Sequence, residues 1–471
     1  MEKEKYLSPV LETLRHYPLQ AGIEKAAGYA AEYAAGIGAR PVYPHGEALA
    51  ELEQLGGEVP EQPAATDEII DILGHAGSDA AVSSTGGSYF GFVMGGSIPA
   101  GMCAGVLSSA WDQNAAKYAM SPVANELEGI CEKWVTDILG LPAGTAMATV
   151  GGSSNATMIA ITAARDALLA RKGYDAGRDG LFGAPEIRAV IGAGAHPSVY
   201  RALSVIGLGS GRVEEVPCRP DGSMSADDLP ELDDMTLLIL QAGALHTGAF
   251  DEIRPICEKA GRAGAWVHID GAVGLWAAAS ENLRHLTDGL ELADSWAADA
   301  HKGLNAPYDC GIVLCRDRSA LTASMGGADL SKIDVSAGTS RRDNMDYTYE
   351  MSRRARSVEL WAVIKSLGRE GIGQMQDELH AKAVYFAERL AGAGFEIMND
   401  VTFIQFGAHW QDDETTAKVL KTVQDSGVCW MGGAEYKGKF CIRICVCSWR
   451  TTYEDIDVSA DEIIRAAQKP R

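Results

Sequence analysis

Between about residues 86 and 375, short apolar runs ending in glycine-rich or polar turns alternate with helical stretches, and this alternation constrains the fold most. ATVGG (148–152), IRAVIGAG (187–194), MTLLILQAG (235–243) and AGAWVHIDGA (263–272) read as buried strands. Runs this apolar need cover on both faces, which predicts an α/β fold with a large, mainly parallel sheet between helices. The helices carry their own punctuation. In SPVANELEGICEKWVTDILG (121–140), Ser121 stands at the N-cap, Pro122 at the first helical position and Gly140 at the stop.

Three regions are expected on either side of these limits. Residues 1–85 read as a Tyr- and Ala-rich helical segment, broken by turns, that can wrap another surface. Residues 86–375 form the large unit. Residues 376–471 form a smaller α/β unit, with strands at 402–408 and 439–447 and helices at 413–427 and 452–468. The net charge of −23 repels phosphate backbones and anionic lipid, so neither nucleic acid nor a membrane surface is an expected partner. No apolar run is long enough to span a bilayer and no leader-like stretch opens the sequence. The ten cysteines include no CxxC pair, so buried reduced thiols, a cytoplasmic location and no metal site are expected.

Ligands of open α/β sheets lie beyond the carboxyl ends of the strands. Four features fall there. Gly151-Gly152-Ser153-Ser154 joins a strand to a helix, where free N–H groups, two hydroxyls and the helix dipole suit a phosphate. His196 follows IRAVIGAG; Pro197 removes the third glycine that a dinucleotide fingerprint needs. Asp270 ends the strand WVHID, with Gly271 and Ala272 leaving room for a flat group. Lys302 follows His301 beyond an apolar segment, where desolvation favours a nucleophilic amine. Singly, each is more often a turn, a cap or a solvated side chain. Together they are what pyridoxal 5′-phosphate requires: a phosphate cradle, a ring-stacking imidazole, a pyridinium partner and a Schiff-base lysine.

On these residues, and on SYFGFV (88–93), SAWDQN (109–114), SPVANELE (121–128), HKGLNAPYDCG (301–311) and MSRRARSVELW (351–361), the sequence resembles the group II pyridoxal-phosphate-dependent amino-acid decarboxylases. The glutamate and aromatic-L-amino-acid decarboxylases belong to that group. The resemblance implies the aspartate-aminotransferase-like fold (fold type I) and a homodimer with shared active sites. It implies decarboxylation of an L-amino acid to the amine through a Lys302 Schiff base. It implies Asp270 at the pyridine nitrogen, His196 and Ala272 on the two ring faces, and Gly152, Ser153, Ser154 and His301 around the phosphate and Lys302. Phe92, Asn114 and Arg353 are implied for the substrate.

The sequence also departs from the family. Arg316 to Asp346 contains no Tyr and no His, where the family usually carries a loop Tyr that delivers the proton. His301 is an alternative donor. Without a donor, aldehyde-forming oxidative decarboxylation, Cα–Cβ cleavage or a cofactor-binding scaffold with little catalysis are the rival readings. Gly303 replaces a usual Trp and is expected to open space. The run Arg341, Arg342, Arg353, Arg354 and Arg356 suits either a substrate carboxylate or acidic partners within the chain. Asn114 and these arginines favour a polar substrate, whereas Phe92 and the room at Gly303 favour an aromatic one.

Overall fold

The computed structural model describes residues 8–326 and 341–468. Seven strands form the large sheet: β1 (Ala146–Val150), β2 (Arg188–Gly192), β3 (Glu214–Val216), β4 (Thr236–Gln241), β5 (Trp266–Asp270), β6 (Ser295–Asp299) and β7 (Gly311–Cys315). Their order is β1-β7-β6-β5-β4-β2-β3. Only β7 runs against its neighbours, pairing antiparallel with both β1 and β6. The other strands therefore all end on one side of the sheet.

The apolar runs are buried on both faces, as their composition requires. In β7, Val313 and Cys315 pack into the core on one face, while Ile312 and Leu314 pack into the core on the other. The helix Ser153–Arg171 covers the first face against β5, β6 and β7. The helix Pro122–Ile138 begins as its sequence predicts, with Ser121 Oγ accepting the Ala124 N–H.

A second sheet has the order β10-β11-β9-β8, built from β8 (Glu396–Ile397), β9 (Gln405–His409), β10 (Gly432–Tyr436) and β11 (Lys439–Cys445). The helices Asp413–Ser426 and Tyr453–Gln468 accompany it. A long helical stretch, Ser357–Gly392, joins the two sheets and is broken at Gly368, whose φ of 63° lies in the left-handed region. The expected limit at residue 375 falls inside this stretch. An 18-residue helix, Leu19–Gly36, and three short ones, Pro9–Arg15, Gly46–Glu51 and Thr66–Ile72, lie before the large sheet. Among the described residues, no helix is long and apolar enough to cross a membrane.

Candidate active site

The strand ends meet at a cavity of about 360 Å³ whose wall includes Ser153, His196, Asp270, Ala272, Lys302 and Phe92. They arrive from separate parts of the chain, except that Asp270 and Ala272 share the end of β5 and the turn after it. Ser153 follows β1 and opens a 19-residue helix. Gly152 precedes it and makes close backbone contact with β7: a Cβ on Gly311 would lie 2.4 Å from Gly152. Ser154 is exposed at the same helix start.

His196 is the N-cap of the helix Pro197–Val205, and its Nδ1 accepts the Ser198 N–H at 3.1 Å. That acceptor role leaves Nδ1 without a proton. Burial acts in the same direction and pushes the imidazole pKa down, against the opposing pull of Asp270. The ring is therefore neutral, a flat apolar face rather than a cation. Asp270 is buried at the end of β5, and its Oδ1 accepts the Ala272 N–H at 3.2 Å. Burial pushes its pKa up, while Lys302 and His196 pull it back.

Lys302 is not the isolated amine that its sequence context suggests. Its Nζ lies 2.9 Å from Asp299 Oδ2 at the end of β6. Asp299 also accepts the Ser153 N–H at 2.6 Å and the Ser153 hydroxyl at 2.7 Å. His301 stands behind the cavity wall. Its Nδ1 accepts the Cys310 N–H at 3.1 Å, its ring stacks on Tyr308 at 4.2 Å, and burial pushes its pKa down.

Two expected substrate residues are not brought to this cavity. Asn114 donates to Ser352 Oγ at 3.2 Å and accepts the Ala116 N–H at 3.0 Å. Arg353 is buried beneath β1, where it meets Glu128 at 2.8 Å and Thr149 Oγ1 at 3.1 Å. The rest of the arginine run is paired likewise: Arg341 with Glu126, Arg342 with Glu132, and Arg354 and Arg356 with Asp309. Of the two meanings open for that run, acidic partners within the chain is the one observed. Gly303 does not open the cavity either, because a Cβ there would meet Trp276 at 3.2 Å and the Val273 carbonyl at 3.3 Å. Residues 327–340 of the expected lid lie outside the described residues.

Sequence reasoning missed three residues. Asp299 ends SWAAD as Asp270 ends WVHID, and that repeated pattern was the available signal. Arg443 is the one basic residue inside the apolar strand FCIRICVC, and it reaches the cavity from β11. It donates to the carbonyls of Leu245 (3.0 Å) and Phe92 (3.1 Å) and to Gln405 Oε1 (3.1 Å). Among the described residues it has no carboxylate partner, and burial pushes its pKa down. Tyr308, in the same PYD stretch as Asp309, also lines the cavity; desolvation holds its phenol well above its ordinary pKa.

The site fits pyridoxal phosphate on two observations. The start of the helix already binds an oxyanion, the Asp299 carboxylate, through an N–H and a hydroxyl. Asp270 is a carboxylate raised by burial, a condition that a cationic ring nitrogen relieves.

Residues 54–406 match the pyridoxal-dependent decarboxylase conserved domain. The chain is 27% identical over 403 residues to phenylacetaldehyde synthase of Petunia hybrida, covering 79% of each protein. It is 24% identical over 462 residues to tryptophan decarboxylase 1 of Oryza sativa subsp. japonica, covering 90% of this chain and 88% of that one. In three dimensions it resembles the crystal structure of Oryza sativa TDC with PLP and tryptamine, with a TM-score of 0.87 at 21% identity over 98% of this chain and 99% of that one. The chain belongs to the pyridoxal-dependent decarboxylase family, has fold type I, and is an enzyme whose cofactor is pyridoxal phosphate.

Proposed function

We propose that the chain decarboxylates an L-amino acid to the corresponding amine. The observation that carries this reading is the convergence on one cavity of Lys302, Asp270, His196 and Arg443, which has no carboxylate partner among the described residues. In this reading Lys302 attaches the cofactor, Asp270 faces its ring nitrogen, His196 and Ala272 flank the ring, and Gly152, Ser153 and Ser154 hold the phosphate. The bound cofactor supplies an electron sink for the pair left at Cα when CO₂ departs.

The chain's own side chains do the rest. Arg443 uses three of its five N–H groups on protein acceptors, which leaves two for a substrate carboxylate. Phe92 packs its ring on Trp430 at 5.7 Å and borders the substrate space. Tyr308 Oη donates the proton that replaces CO₂ at Cα, and His301, stacked on its ring, fixes its orientation. One proton enters and one CO₂ leaves for each amine formed.

A second reading is oxidative decarboxylation by dioxygen, in which amino acid, O₂ and water yield aldehyde, CO₂, ammonia and hydrogen peroxide. The absence of Tyr and His from Arg316–Asp346 favours it, as does the likeness to a phenylacetaldehyde synthase. We also read the chain as a homodimer in which residues 1–85 embrace the partner. The exposed Leu11, Leu14, Leu19 and Ile23 on its first two helices support that reading. The test is incubation of the cofactor-loaded protein with a panel of L-amino acids and mass-spectrometric product analysis. Amine with CO₂ is expected; aldehyde with ammonia selects the second reading.

A further inference from the structure

Asp299 is only 1% exposed, yet it touches the two groups a cofactor would need separately. Its carboxylate takes the N–H and hydroxyl of Ser153 and also holds Lys302 Nζ at 2.9 Å. The helix Ser153–Arg171 has no side-chain cap from Gly152 and no acid in its first turn. Asp299, reaching across from β6, is the anion at its start.

A phosphate at that helix start and the Asp299 carboxylate call on the same donors. Two anions this close repel strongly where water is excluded. We propose that Asp299 couples phosphate binding to the reactivity of Lys302. The phosphate displaces the carboxylate from Ser153. The carboxylate thereby loses two hydrogen bonds and keeps the adjacent Lys302 ammonium, 2.9 Å away, as its close partner. Asp299 takes one proton from Nζ. The free amine attacks the cofactor's aldehyde carbon, a C=N bond forms, and the aldehyde oxygen leaves as water. The proton on Asp299 returns in that step, so ammonium and aldehyde yield a protonated imine and one water.

This inference rests on the assignment of Lys302 as the attachment residue and of Ser153 as a phosphate donor. The test uses the full chain stripped of cofactor. It is mixed at saturation with pyridoxal phosphate, or with 5-deoxypyridoxal, which lacks the phosphate and cannot cyclise on itself. Borohydride then traps the imine, and peptide mass spectrometry follows the labelling of Lys302 with time. Deoxypyridoxal is expected to label Lys302 about tenfold more slowly than pyridoxal phosphate, and added inorganic phosphate to restore most of the rate. In Asp299→Asn the difference between the two compounds should collapse and inorganic phosphate should have no effect. The wild-type phosphate comparison needs no variant, so it stands even if Asp299→Asn folds poorly. No acceleration by phosphate in the wild type, or an acceleration that persists in Asp299→Asn, overturns the coupling while leaving the attachment at Lys302 intact. Label on a different lysine overturns both the coupling and the functional assignment beneath it.

Discussion

Two groups of buried charge lie on either side of the end of β1, and they are balanced differently. Beneath the strand, Arg353 meets Glu128, Glu128 takes the Thr149 hydroxyl at 2.9 Å, and Arg318 and Arg342 converge on Glu132. Each guanidinium there faces a carboxylate. Beyond the strand end, Arg443 has two carbonyls and an amide, Asp270 accepts one amide N–H, and a single carboxylate is divided between Lys302 and a helix start. The first group ties the helix Pro122–Ile138 to the sheet and to the segment before Ser357. Among the described residues the second is left short of partners, and a ligand can supply them. Buried charge by itself does not mark a site; buried charge without its counter-charge does.

The largest effect expected on this contrast comes from Lys302→Ala, which should lower product formation by about 10³-fold or more. Turnover near the parent level would remove Lys302 from the chemistry and dissolve the comparison. Next is Arg353→Met, which removes the guanidinium 2.8 Å from the buried Glu128 and leaves that carboxylate Arg342 at 3.7 Å. It should destabilise the fold by about 3–5 kcal/mol, read as a shift in the urea midpoint, with KM unchanged for the molecules that remain folded. A raised KM with unchanged stability would reverse the roles of the two groups. Tyr308→Phe should lower kcat by about 10²-fold and raise the share of aldehyde among the products. An unchanged product ratio would assign the proton to another donor.

The smallest effect sharpens the comparison within one strand. His268 shares β5 with Asp270 but is wholly enclosed, and burial pushes its pKa down from 6.5 to about 3. Between those values the unfolded chain binds a proton that the folded chain refuses, so this residue's contribution to stability falls as pH falls. The slope from this one group is at most about 1.4 kcal/mol per pH unit. Urea midpoints at pH 7 and pH 5 should converge in His268→Gln relative to the parent; identical pH slopes in the two proteins would contradict the assigned burial.

Much of this arrangement is legible in the sequence. Apolar runs that need two covered faces give the large sheet, and the residues ending those runs give His196, Asp270 and Lys302. Strand direction is less legible: the pattern GIVLC carries no sign that β7 runs antiparallel between β1 and β6. The arginine run was ambiguous because its carboxylates lie far away in sequence, Glu128 and Glu132 on one helix and Asp309 in a loop. Arg443 was hidden for the converse reason. Its strand belongs to the second sheet, and nothing local in KFCIRICVC indicates that this sheet presents its arginine to the strand ends of the first. Asp299 is within reach of the sequence, since it ends SWAAD as Asp270 ends WVHID, but the nearby Lys302 draws attention past it.

The most direct test of the contrast is KM for the amino-acid substrate in Arg443→Met and Arg353→Met, measured side by side. Losing the guanidinium without a carboxylate should raise KM by about tenfold or more, because a substrate carboxylate forfeits charged hydrogen bonds. Losing the paired one should leave KM within about twofold of the parent, since Arg353 is committed to Glu128 and Thr149. An unchanged KM in Arg443→Met together with a raised KM in Arg353→Met would contradict the account.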